Sequence, residues 1–381
     1  MKKKNSNYIS AALLVIFFIF LYIFNSTLTY NRPEDIQTGI VYEKAKVINI
    51  ISEDMGQDPE FDYIVIGKQK LELEILTGKN KGKVVTAMNF VERVDNKPAK
   101  IGTKFIVYTF DDFASTVISN YSRENSMYVL LGIFLAIVLI FGKIKGLKSI
   151  FSLGFTLVCV IYLFIPMILR GVEPILAAIT VVILSTLVTL LSLNGWCRKT
   201  IIACISCILC TLFAGVIATI FGRISHISTL NTIEAENLLF IATNTSLKIK
   251  DLFFAGILIA SVGAIMDTTI SIASSLSELK ELNPNIQEKQ LLISGMNIGK
   301  DIMGTMTNTL ILAFTGASIN ILIMLFMYNI QYIQLINLDM LVVEVIQGVS
   351  GSIAVVLSIP VTALLSAKIL AGSQRKNLKF R

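Results

Sequence analysis

Asp267, Ser271, Ser274 and Glu278 recur at i, i+4, i+7 and i+11 inside one apolar run. Asp301, Thr305 and Asn308 repeat the first three steps in the next. Such spacing lays side chains along one stripe of a helix. Lys300 and Thr307 lie on the stripe beside the second series; Ser261 and Gly263 precede the first, and Thr268 and Thr269 flank it. A carboxylate with hydroxyl and amide neighbours can take up a proton, hold a cation or contact a polar solute. Asp267, Ser271, Lys300, Asp301, Thr305 and Asn308 are therefore candidates for binding a substrate or ion. Glu344 is a further candidate, in a third apolar run, followed by Gln347 and the small-residue segment 348–352.

The setting makes these groups costly. One Asp at the centre of a membrane helix costs roughly 2.5–3.5 kcal/mol, and most of the other apolar runs here avoid it. Hydrophobic residues make up 54% of the 381 and charged residues 15%, with a mean hydropathy of +0.72. A soluble chain with so few charges could not cover its surface. The chain reads as a polytopic membrane protein.

The elements that must position the candidates are apolar runs of about 20 residues each. They cover 8–24, 127–141, 150–169, 175–193, 200–221, 252–274, 302–328 and 341–367, about eight crossings. The basic residues fall in short flanks: Lys2 to Lys4, Lys143/Lys145/Lys148, Arg198/Lys199, and Arg375, Lys376, Lys379 and Arg381. All land on one side, so the positive-inside rule puts both termini in the cytoplasm. That distribution accounts for the net charge of +7 without nucleic acid as a partner. Run 8–24 lacks a small-residue cleavage site and reads as a retained helix rather than a signal peptide.

Finer expectations follow. KIKGLK is a basic loop, 222–250 an external loop with a short interfacial helix at ENLLFIAT, and QEKQLLISGM a cytoplasmic interfacial helix after Pro284. If the sixth run ends near Ser275 and the seventh begins near Gly299, Asp267 lies about 12 Å from the cytoplasmic boundary. Asn308 lies at similar height, a neighbour for Asp267, with Asp301 at the cytoplasmic mouth.

Residues 31–125 are polar and strand-like. LELEIL alternates in period two, with Gly67-Lys68 as one hairpin turn signal and Gly78 to Gly82 as another, leading into VVTAM; KFIVYTF closes the set. About five short strands suggest a small barrel of the OB or SH3-like kind, read as an extracytoplasmic cap or partner-docking module.

No cofactor or metal is expected. Cys204, Cys207 and Cys210 form CxxCxxC inside an apolar helix, where iron–sulfur ligation would want a fourth ligand and usually a loop. Small residues at helix contacts are the plainer account. His226 is the only histidine. No P-loop, HExxH motif or YD/GxGD aspartyl pair occurs, so no enzymatic activity is expected. Intramembrane Ser and Thr can simply bridge helices, at about 0.6–2 kcal/mol per contact. An acid at Asp267 costs more than packing alone repays; Asp301 and Glu344, nearer the interfaces, stay open to both readings.

GAIMDTTISIASSLSEL and GMNIGKDIMGTMTNTLILAFTGAS resemble the signature of the YibE/F-like family of bacterial multi-pass membrane proteins. DIMGTMTNTL is the most distinctive part. The resemblance is specific over about 260–316 and extends over 127–370 as a hydropathy layout; the polar N-terminal segment is also similar. It implies an integral membrane protein suspected of transport, with Asp267, Asp301 and Asn308 at motif positions. The expected fold is an all-α polytopic membrane helix bundle of about eight helices with a small N-terminal extracytoplasmic β-barrel-like domain. Its parts are a first helix or anchor (1–30), the β-rich domain (31–125), the bundle (126–370) and a basic cytoplasmic tail (371–381), in a bacterial cytoplasmic membrane. Two functions fit: a secondary transporter or permease for an unknown small solute or ion, using Asp267, or a non-transporting scaffold or sensor whose β domain binds a protein partner.

Overall fold

The computed structural model describes residues 17–27, 40–109, 116–232, 234–328 and 330–377. Lys2 to Lys4, the first half of run 8–24, and Lys379 and Arg381 lie outside the described residues. The chain divides into two compact units, Arg32–Ile140 and the pair Met1–Asn31 with Phe141–Arg381.

The first unit holds a closed barrel, β1 (Val41–Gln57), β2 (Val65–Ile75), β3 (Val84–Val91), β4 (Lys104–Thr109) and β5 (Thr116–Tyr121), in the order β1-β2-β3-β5-β4. β5 runs parallel to β3 and antiparallel to β4, a Greek-key closure of the OB type. Alternation aims Leu71, Leu73 and Ile75 inward with Val47, Phe105 and Val107, all fully buried. The turn expected at Gly78 to Gly82 joins β2 to β3. The turn expected at Gly67-Lys68 is absent: Gly67 sits inside β2, paired with Met55 and Val91. Its φ is 143°, and a Cβ there would lie 2.1 Å from the Asp54 carbonyl oxygen. Close strand approach, not chain reversal, demands that glycine.

The segment between β3 and β4 plugs one end of the barrel. Asn89 Nδ2 donates to Lys97 O (2.8 Å) and to Gln69 Oε1 (3.0 Å), while Gln69 Nε2 donates to Ala99 O (3.0 Å). Asp58, also buried, accepts from the Glu60 and Phe61 amides at 2.9 and 3.2 Å and from Arg93 Nε.

In the second unit the apolar runs form helices, which pair their interior backbone groups within one segment. The helices are α1 (Phe17–Ser26), α2 (Glu124–Leu169), α3 (Pro174–Asn194), α4 (Arg198–Ile224), α5 (Ala235–Thr243), α6 (Leu252–Leu282), α7 (Glu288–Ala317), α8 (Ile319–Met327) and α9 (Asp339–Asn377). Among the described residues, α2, α3, α4, α6 and α9 are each long and apolar enough to cross a membrane, and α7 with α8 forms a sixth candidate. α2, which starts in the first unit, leaves helical geometry at Lys143 (φ 47°, ψ −126°). The basic segment expected as a loop is therefore a one-residue break. At 46 residues α2 would run about 69 Å unbroken, over twice the roughly 30 Å hydrocarbon core.

Three further expectations change. QEKQLLISGM is not a separate interfacial helix: it opens the continuous 30-residue α7, where Leu291 and Gly295 are buried. Run 302–328 is not one straight crossing, because α7 and α8 meet at 63° across Ser318. The last helix continues to Asn377 rather than giving way to a tail at 371. The short helix at ENLLFIAT is present as α5. In α1, Leu21 is buried in the bundle core and Asn25 Nδ2 donates to Tyr162 O at 2.8 Å. The Arg170 guanidinium sits 3.7 Å from the Phe24 ring.

The barrel has its own core, so residues 31–125 expressed alone should unfold in one cooperative thermal transition. The hydrogen bond from Arg93 holds the Asp58 carboxyl below the usual carboxylate range, against the opposing pull of burial. A depressed folded-state pKa gives stability that is present above the unfolded value of about 4 and lost as pH falls through the folded one. The stability advantage over Asp58→Asn should therefore be full at neutral pH and shrink below about pH 4. Urea melts across that range check it, and a constant gap would refute the assignment.

Candidate functional site

α6 packs against α3, α4, α7 and α9, so it is central to the bundle. Leu258, Ile265, Ile272 and Leu276 fill its buried side. Directly opposite, Gly256, Ala260, Gly263, Asp267, Ser271 and Glu278 are exposed. The expected stripe exists and faces away from the other helices that α6 packs against. Thr268 and Thr269 are buried, and their hydroxyls donate to their own helix, to Ala264 O (2.9 Å) and Met266 O (3.0 Å). They are packing residues.

α7 begins after Gln287, whose amide donates to Gln290 Oε1 at 3.3 Å in a reciprocal cap. Its buried side is small because α9 comes close. A Cβ at Gly295 would lie 2.8 Å from Leu276 Cδ1, and one at Gly299 2.1 Å from Ile359 Cγ2. On the other side Asn297, Lys300, Asp301, Gly304, Thr305 and Asn308 are exposed. Asn297 belongs to this face and was missed in the sequence reading; stepping back four residues from Asp301 would have found it.

Two contacts fix the relative height of the stripes. Leu276 meets Gly295, and Ser261 and Leu310 meet across Gly351. In antiparallel helices this sets Asp267 level with Gly304, Ser271 with Lys300 and Gly263 with Asn308. Asp267 and Asn308 are thus not at one height but about 6 Å apart, roughly one turn. Asp301 lies about 20 Å along α7 rather than at a helix end. Both differences arise because α6 ends seven residues later than Ser275 and α7 starts twelve residues earlier than Lys300.

Asp267, Ser271, Lys300, Asp301 and Asn308 have no hydrogen-bond or ion-pair partner among the described residues. Thr305 donates only to its own helix, to Ile302 O at 2.9 Å. Glu344 stands apart. It is half-buried beside a cavity of about 230 Å³ with Thr315, Ser318 and Gly348. A cavity of about 440 Å³ lies between the end of α4 and the start of α9, lined by Phe221, Ile227 and Asp339. Neither is lined by Asp267.

The contrast with the rest of the exterior is sharp. α4 exposes Ile201, Ile205, Leu209, Phe213, Val216 and Ile220, a surface suited to lipid. No large apolar side chain is exposed on α6 before Leu282, nor on α7 between Ile293 and Ile311. Cys204, Cys207 and Cys210 are buried at helix contacts; the Cys207 thiol lies 3.8 Å from Thr186 Oγ1.

A family model described as YibE/F-like protein matches residues 130–372, which takes in both polar stripes. No curated protein and no solved structure matches.

The close α7–α9 contact should be sensitive to one methyl group. Gly299→Ala should cost about 1–3 kcal/mol by overpacking. Ile359→Ala should be costly alone, yet the double variant should lose less than the sum, because the space opened takes the new methyl. Thermal denaturation of the purified protein measures all three, and strictly additive losses would refute the contact.

Proposed function

The chain belongs to the YibE/F-like family, and from that premise we propose that it is a secondary transporter of a small solute or ion. The reading places it in a bacterial cytoplasmic membrane with about eight crossings. That number counts α1, α2 as two helices divided at Lys143, and the bent pair as one. The β domain lies outside and both termini inside. Asp267 is the coupling or substrate-contacting group, with Ser271, Lys300, Asp301, Thr305 and Asn308 around it. Glu344 serves the separate cavity at the start of α9. No enzymatic step is assigned.

One observation carries the reading: the polar outward face of α6 and α7 contrasts with the apolar outward face of α4 in the same bundle. A helix that places acid, amide and hydroxyl groups along one side at membrane depth needs water, solute or protein beside them. Transporters put such groups near the midplane; here α6 and α7 run unbroken through Gly263 and Gly304, the glycines nearest Asp267. A second reading, a scaffold or sensor, has its own support in the barrel. Tyr42, Tyr63 and Phe90 are exposed on it, as a docking module for a protein partner would have them.

Topology is testable directly. A cysteine replacing Lys81 should react with an impermeant thiol reagent on intact cells and one replacing Lys376 should not; the reverse would overturn the orientation.

Asp267→Asn keeps the shape but cannot titrate. It should insert and fold as the parent does while abolishing proton- or sodium-dependent flux in proteoliposomes screened for uptake and efflux. Asp301→Asn and Asn308→Ala should impair flux less. Full flux by a well-folded Asp267→Asn protein would remove Asp267 from the coupling role.

A further inference from the structure

We propose that the polar face of α7 is the interface with a second copy of this chain. The inference needs the bundle to span a bilayer but does not rest on transport. Two observations converge on that face. Lys300 and Asp301 are exposed and have no ion-pair partner among the described residues. Charges left against lipid at that depth are costly, so something covers them. The face also carries Gly304, where a Cβ would meet nothing within 4 Å. Gly295 and Gly299, on the same helix, are explained by Leu276, Ala363 and Ile359. Gly304 has no such neighbour among the described residues, although glycine inside a helix costs about 1 kcal/mol. A helix from outside, approaching closely over Gly304, accounts for it.

Symmetry chooses the occupant. Copies inserted in one orientation can be related only by a two-fold axis normal to the membrane, so each residue faces groups at its own depth in the other copy. Lys300 and Asp301 are adjacent in sequence, about 1.5 Å apart in height, and of opposite charge. Two α7 helices meeting on this face pair each Lys300 with the Asp301 of the other copy, twice over. The face is self-complementary, as an isologous contact requires. Thr305 and Asn308 continue it with hydroxyl and amide groups, and Asp267, level with Gly304 on α6, borders it, so a site around Asp267 would lie at the seam and be lined by both copies.

The test uses full-length protein in lipid nanodiscs, with mass photometry and two affinity tags. The unaltered chain should give a particle holding two 42.0-kDa copies. Lys300→Asp alone and Asp301→Lys alone set like charges opposite one another and should weaken the dimer on the order of a hundredfold. Co-expressed with different tags, the Lys300→Asp chain and the Asp301→Lys chain should pair with each other and co-purify, which also shows that both fold. The double swap Lys300→Asp/Asp301→Lys should dimerise with itself. A monomeric parent chain would overturn the proposal, whether lipid, water or a different protein covers the face. So would single variants that still self-associate, or a co-expressed pair that fails to form.

Discussion

Inside a bilayer every polar group must find a partner in the protein or in trapped water, and the arrangement of this bundle follows from that constraint. Several hydroxyls meet it locally, whereas those of Ser206, Thr307, Thr362 and Ser366 are buried without a protein partner among the described residues. Ser261, Thr268, Thr269, Ser352 and Ser358 each donate to a carbonyl three or four residues earlier on their own helix. They can therefore be spread through α6 and α9 without dictating which helix lies beside them. Charged groups cannot be satisfied that way. Asp267, Lys300 and Asp301 need a partner beyond their own backbone. Among the described residues they share an outward face on which α6 before Leu282 and α7 between Ile293 and Ile311 expose no large apolar side chain.

Close packing on the other side keeps these groups in register. Gly295 and Gly299 let α9 approach α7, and Gly351 on α9 receives both Ser261 and Leu310. Glycine contacts at both ends of the α6–α7 pair fix how the two helices slide past one another. Pro360 lies beside Ile359, the side chain that fills the space at Gly299. Membrane helices tolerate such a proline because neighbouring groups can re-satisfy the freed carbonyl. The polar stripes owe their relative height to apolar contacts on the opposite faces.

Period and phase were legible in the sequence; the neighbours of a given face were not. LELEIL shows its alternation because every second residue is large, apolar and fully buried. β1 hid itself: Glu43 points inward among Ala45 and Val47, and two bulges, near Val47 and Ile50, break the period. Gly67 looked like a turn because a glycine required by an approaching carbonyl and one required by a reversal read alike. The helical stripes of Asp267 and Asp301 could be counted off directly. That each faces outward could not, since periodicity gives an angle around one axis and says nothing of where other axes lie. The early start of α7 was hidden too: its first turns are polar, and Gly295 and Gly299 resemble helix breakers until α9 is seen against them.

Two aspartates show how surroundings decide what a carboxylate can do. Asp58 receives two backbone amides and the Arg93 guanidinium, so its oxygens are engaged and its charge is fixed at neutral pH. Such a group closes a loop and holds it. Asp267 has an apolar helix face behind it, Gly263 one turn before it on α6, Gly304 level with it on α7, and no donor among the described residues. No described residue commits its oxygens, and a Cβ at Gly263 would meet nothing within 4 Å. An acid that served packing alone would have been given a donor, as Asp58 was. The absence of one among the described residues, on the outward face of a central helix, is what separates Asp267 from Asp58.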